Sequence, residues 1–216
     1  MVIPVLGPLR RSLIVRADGT RDTTTAVTWL QGPTLYVDLR LPAGDPHAVI
    51  EGFAGRFTVD GDRALWTRAI DVHPAGPDPD EGRLYPHPDL PGVLVEDGVH
   101  DPYVEHWHLP HATPAPPAGA LVAVDDAGHL AVVVRVGSDV GVAVQTFEGA
   151  VVALGEVDGP DGGRWVLRAA TDAGLAGTVL SPRTDGCTLH LDLPAPLAAS
   201  WRITETEGDP IAVPPL

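Results

Sequence analysis

The chain has 216 residues, of which 29 are acidic and 14 basic, for a formal charge of −15. Every basic residue is an arginine, and without a clustered basic face a nucleic-acid partner is not expected. Apolar stretches such as Leu130 to Val134 fall far short of the roughly 20 residues that a membrane-crossing helix needs, and the lone Cys187 rules out an intrachain disulfide.

The first residues, Met1 to Leu6, lack the charged leader, long apolar run and small-residue cleavage site of a signal peptide, so a cytoplasmic protein is expected. Lys and Asn are missing and Ala, Val, Asp and Arg dominate, a bias that reads as bacterial. The 23 prolines are spread along the whole chain and interrupt helices wherever they fall, so the fold is expected to be mostly β.

Arg11 to Arg16 and Thr23 to Leu30 read as a first hairpin around Asp18-Gly19. Thr34 to Leu41 alternates, with Leu35, Val37, Leu39 and Leu41 on one face and Tyr36, Asp38 and Arg40 on the other. Pro46 to Gly55 reads as one short helix, centred on 46–54, with Asp45 as N-cap, Pro46 at its first position and Gly52 or Gly55 as its stop. Arg56 to Val59 and Arg63 to Val72 flank the turn Asp60-Gly61-Asp62, and His73 to Pro79 reads as an irregular loop. Val93 to Asp97 and Pro102 to Leu109 follow as strands around Gly98.

Pro110 to Gly119 holds four prolines, three alanines and no Asp, Glu, Lys or Arg, which marks a linker and divides the chain into lobes at 1–112 and 119–216. Beyond it, eight short segments from Ala120 to Thr206 are separated by turns such as Asp126-Ala127-Gly128. Strands at this spacing make an all-β barrel or sandwich.

The runs Tyr36-Val37-Asp38-Leu39-Arg40, Gly52-Phe53-Ala54-Gly55, Asp80-Glu81-Gly82-Arg83, Val95-Glu96-Asp97-Gly98-Val99 and Glu105-His106-Trp107 come in an order and spacing that resembles the fungal HRI (Hrr-interacting) family. The resemblance covers about residues 36–108 and implies a pair of antiparallel, lipocalin-like (calycin-type) β-barrel lobes. It also implies a link to a casein-type kinase and to secretory machinery, and it supplies no catalytic residue. The chain departs from the family pattern at His106 and His108.

The densest chemistry lies in Glu105-His106-Trp107-His108-Leu109-Pro110-His111. Residues two apart on a strand share a face, so His106 and His108, with His111 beyond the strand end, could ligate Zn or another divalent first-row metal. The opposite face carries Tyr103, Glu105 and Trp107, which a barrel would turn toward the same cavity as Tyr36, Asp38 and Arg40. Glu105 and Asp38 are then the candidate proton carriers, and Tyr36, Arg40, Tyr103 and Trp107 the candidate ligand contacts. The alternative for the carboxylates is a purely structural ion pair, and a one-residue slip in register would exchange the two faces. Glu96 and Asp97, ahead of Gly98, read first as a turn and second as an active-site pair.

Three functions are compatible with these residues. The first is a lipocalin-like barrel that binds a small apolar or aromatic molecule without a cofactor, extending to acid–base chemistry of an isomerase, hydratase or cyclase type. Its ligand would be neutral or cationic, because a surface at −15 repels anions. The second is a metal-dependent barrel enzyme using His106, His108 and His111, and the third a non-enzymatic interaction module. Oligomeric state is not legible in the chain.

Overall fold

A computed structural model describes residues 5–211 apart from 44–49, 75, 111–116, 160–162, 196 and 198. The N-terminal half forms β1 (Gly7–Arg16), β2 (Arg21–Asp22), β3 (Ala26–Gln31), β4 (Leu35–Leu41) and β5 (Glu51–Asp60). It continues with β6 (Arg63–Asp71), β7 (Asp80–Pro86), β8 (Val93–Gly98) and β9 (Tyr103–His108). These pair in the order β2-β1-β3-β4-β5-β6-β7-β8-β9, and a further β1–β9 ladder closes β1 and β3–β9 into an eight-stranded antiparallel barrel with β2 hanging off β1.

The C-terminal half supplies β10 (Ala118–Val124), β11 (Leu130–Val136), β12 (Asp139–Gln145), β13 (Ala150–Asp158) and β14 (Arg164–Ala170). The short β15 (Val179–Leu180), β16 (Arg183–Asp185) and β17 (Thr188–His190) precede the long β18 (Ser200–Gly208). Their order, β15-β14-β13-β12-β11-β10-β18-β17-β16, leaves the sheet open as a half-barrel, with no ladder joining β15 to β16 among the described residues. The chain is therefore an all-β, two-lobed barrel protein. No helix among the described residues is long and apolar enough to cross a membrane.

Strand alternation sorts the side chains into three cores. Inside the barrel, Leu9, Trp29, Tyr36, Phe53, Phe57, Trp66, Leu84, Leu94 and Trp107 pack together. On its outer wall, Leu30, Leu35, Val37, Leu39, Ala54 and Ile70 meet Ala120, Val132, Val134, Val136, Ala143 and Val152 from one face of the second sheet. The other face of that sheet, including Ala131, Val133, Trp165, Leu167 and Trp201, covers the third core. Strand β11 is thus buried on both sides, which is why Ala131 to Val136 shows no polar interval except Arg135.

The lobes approach closely because glycines face the seam. A Cβ on Gly52 would stand 2.8 Å from side-chain carbons of both Val152 and Thr171, and one on Gly141 would stand 2.9 Å from Val37 Cβ. At the rim of the seam, Arg56 of β5 bonds to Glu205 and Glu207 of β18, and Glu207 also accepts the Thr34 backbone N–H at 2.9 Å.

Two readings of the sequence are corrected here. The helix expected over 46–54 is not present in its described part, because residues 51–60 form β5, with Gly52 opposite Leu39 and Phe53 opposite Asp38; residues 44–49 lie outside the described set. Gly52 and Gly55 are not helix stops. Gly52 admits the second sheet, and Gly55 sits at a β-bulge where a Cβ would come within 2.0 Å of the Thr67 carbonyl. Strand β7 has no counterpart in the sequence reading, because Asp80-Glu81-Gly82-Arg83 has poor intrinsic strand preference and is held in place by ladders to β6 and β8.

Candidate functional site

The interior of the closed barrel collects the residues with the most chemistry. Strand β4 pairs on both edges and so is fixed in register, which turns Tyr36, Asp38 and Arg40 inward while Leu35, Val37 and Leu39 enter the seam. Strand β9 is fixed in the same way between β8 and β1: Trp107 stands opposite Leu94 and Arg11, and Glu105 stands opposite Glu96 and Ile14. All six side chains singled out on these two strands therefore share one interior.

They do not share one depth. The lower barrel is filled by aromatic rings: Trp29 meets Phe57, Trp66 and Trp107 edge to face at centroid distances of 5.0, 5.4 and 5.6 Å. Trp29 Nε1 donates to Gln31 Oε1 at 2.8 Å. Above this floor lies a cavity of about 770 Å³, with Arg11, Arg40, Arg68, Asp80, Tyr103 and Glu105 among its walls. Tyr36, Asp38 and Trp107 are buried beneath it.

The cavity wall is built of paired charges. Arg11 Nη1 donates to Glu105 Oε1 at 2.6 Å, with both side chains almost wholly buried, and Arg11 Nη2 lies 3.4 Å from Asp22. Arg40 Nε donates to Asp38 Oδ1 at 2.9 Å; burial still raises the Asp38 pKa despite that guanidinium. Arg68 holds Asp80 at 2.6 Å and Asp71 at 3.0 Å, and its guanidinium lies 3.7 Å from the Phe53 ring centroid. The Tyr36 hydroxyl has no hydrogen-bond partner among the described residues, and burial pushes its pKa up.

Sequence reasoning ranked a turn ahead of an active site for Glu96, the carboxyl with the most unusual surroundings. It is 4 % exposed, and its oxygens receive the Tyr103 hydroxyl at 2.5 Å and the Trp107 indole N–H at 2.9 Å. Burial first, and then the neighbouring Glu105 carboxylate, push its pKa up to about 8. Glu96 lies in the strand expected over 93–97, and the alternation of Val93-Leu94-Val95-Glu96 puts it on the same face as Leu94, the signal that weighs against the turn.

The histidines lie on the outside of the barrel. The His106 ring meets the His87 ring edge to face at 5.0 Å, and His108 Nε2 is 3.0 Å from Ser12 Oγ. His111 is outside the described residues. Burial and the neighbouring His87 and His108 lower the His106 pKa. Among the described residues no group of three His, Cys, Asp or Glu side chains is placed to hold a metal ion.

Fold and interior together define an all-β, two-lobed β-barrel protein whose closed lobe opens into a charged cavity. No protein-family model and no curated protein matches the chain. Among solved structures it is similar to the crystal structure of an uncharacterized protein from Saccharomyces cerevisiae, with a TM-score of 0.63 and 14% identity, over 93% of this chain and 98% of the yeast chain. At that identity the likeness shows a shared fold, and its coverage extends to both lobes.

Proposed function

We infer that the protein is a binding barrel for a small, polar organic molecule, neutral or cationic, held in the cavity above the aromatic floor. The observation that carries this reading is the cavity of about 770 Å³ that opens at one mouth of the closed barrel, large enough for a small metabolite. Seven carboxylates and four arginines line it, so the lining, like the whole chain, favours a cation or a neutral polyol over an anion. The apolar guest expected from sequence gives way in this reading to a polar one, because the tryptophans are used up in packing the floor. Kinship with the fungal HRI family is likewise proposed, on the motifs of residues 36–108 alone.

Native mass spectrometry of the purified protein, followed by thermal-shift measurements with a panel of polar metabolites, tests the reading. A ligand at about 100 times its Kd stabilises by about 2.7 kcal/mol, and that shift should fall in Glu51→Ala, which removes one of the lining carboxylates. An equal shift in wild type and Glu51→Ala, or binding confined to long apolar molecules, would refute it.

A further inference from the structure

Glu96 has no cation within hydrogen-bonding distance among the described residues. Glu105 faces it across the β8–β9 ladder, and Tyr103 and Trp107 bond to it from β9. From β7 comes the charge of Asp80, and Gly82 leaves the space its side chain fills, since a Cβ there would stand 2.8 Å from Glu96 Cγ. Arg40 of β4 acts on it only through space, and Arg11 of β1 is bound to Glu105.

This surrounding fixes where a proton on Glu96 must sit. An indole N–H can only donate, so Oε2, which faces Trp107, has to be the accepting oxygen. The carboxyl proton therefore belongs on Oε1, against Tyr103 Oη at 2.5 Å. A protonated Oε1 donates to the phenol oxygen and frees the phenol hydrogen, and Tyr103 lines the cavity. Glu105 lines the same cavity two residues along β9, about 6.6 Å away at strand spacing. Arg11 occupies Glu105 Oε1, and Oε2 has no hydrogen-bond partner among the described residues. A donor backed by a proton reserve and a free carboxylate oxygen thus face one space.

We propose that this barrel catalyses cofactor-free proton transfer on a small, polar, enolisable carbonyl compound, with Glu105 as base and Tyr103, backed by Glu96, as the donor to the carbonyl oxygen. The proposal rests on the binding reading above. Glu105 Oε2 takes the proton from the carbon beside the carbonyl. The C–H pair becomes the C=C bond, and the carbonyl π pair moves to oxygen, which takes the Tyr103 proton. Glu96 replaces that proton and becomes a carboxylate. When Glu105 returns a proton to the same carbon, the enol O–H proton goes back through Tyr103 to Glu96 and the result is exchange. When it protonates the former carbonyl carbon of a hydroxyketone, the proton of the other enediol hydroxyl goes to Tyr103 and Glu96 and the result is isomerisation; no oxidant or reductant enters. Holding one carboxyl neutral beside an ionised one separates acid from base within a single site.

The test is ¹H NMR of hydroxyacetone and dihydroxyacetone in D₂O with the full chain, following exchange of the protons beside the carbonyl. Exchange should exceed the buffer blank and fall about 10²-fold or more in Glu105→Gln and in Tyr103→Phe. In wild type the rate should decline as pH rises through about 8. In Glu96→Gln, whose amide still donates to Tyr103, the decline should disappear. Carbon-13 spectra should show the Glu96 carboxyl neutral at pH 7. Exchange unchanged in Glu105→Gln, or Glu96 ionised at pH 6, overturns the proposal. Ketones that shift the Tyr103 resonances without exchange overturn the proton transfer and leave the binding reading intact; neither shift nor exchange overturns both.

Discussion

Replacing Glu96 by Gln should make the protein more stable at alkaline pH and leave it little changed at acid pH. The folded-state pKa, about 8, lies above the ordinary value of 4.5, so the folded chain holds this proton more tightly than the unfolded chain does. Below pH 4.5 both states are protonated and the group adds no pH dependence. Between 4.5 and about 8 the unfolded carboxyl ionises while the folded one does not, and each unit of pH then removes about 1.4 kcal/mol of stability. Over the whole interval the loss has a ceiling of about 5 kcal/mol; above pH 8 the folded carboxyl ionises too and the slope ends. Glutamine donates to Tyr103 and accepts from Trp107 as the neutral acid does, so it keeps the packing and removes the loss. Urea unfolding of both proteins at pH 5 and pH 8.5 measures this, because every other ionisable group is common to the two and only those facing Glu96, Glu105 first, change their surroundings. A stability difference that is the same at both pH values would refute the reasoning.

Arg11→Ala leaves Glu105 buried without its guanidinium and should destabilise by about 3–5 kcal/mol in urea, whereas the double variant with Glu105→Gln should recover much of that loss. Gly52→Val forces a side chain against Val152 and Thr171 and should cost about 1–3 kcal/mol, read as a lower midpoint of unfolding. Arg56→Ala should change stability by less than about 1 kcal/mol, since the ion pairs it makes with Glu205 and Glu207 are partly open to solvent. A larger loss there would show that the rim of the seam, rather than its apolar centre, holds the lobes together.

The interior of the barrel was readable in the chain wherever strict alternation met distinctive residues. Tyr36, Asp38 and Arg40 interleave with Leu35, Val37 and Leu39, and that pattern is enough to place three of them inside once a barrel is assumed. Depth was not readable. Whether Trp107 is floor or wall depends on Trp29, Phe57 and Trp66, which reach it from distant strands. Glu96 was ranked second to a turn because the Glu-Asp-Gly that ends β8 looks locally like one, while the facts that define it, Glu105 across the ladder and Gly82 beside it, are cross-strand relations. The helix expected at 46–54 failed over its described part for a related reason. Asp45-Pro46 is a genuine local start signal, but from Glu51 onward the chain gains a full ladder with β4, and tertiary pairing outweighs a cap. Strand β7 is the reverse case, a segment with little strand preference of its own held between two partners.

The second sheet depends on the first for one of its faces. Ala120, Val132, Val134, Val136, Ala143 and Val152 are kept from water by the outer wall of the barrel, and the sheet they belong to is open at both ends. A closed barrel has no unpaired edge and can persist alone, whereas a half-barrel stripped of this cover would present an apolar face and two strand edges, the combination that seeds aggregation. Synthesis runs from the N-terminus, so the barrel strands leave the ribosome before β10 begins. The barrel can therefore act as a template on which β10 to β13 are laid down. A truncation that keeps the first lobe should remain in solution, and one that keeps only the second should not.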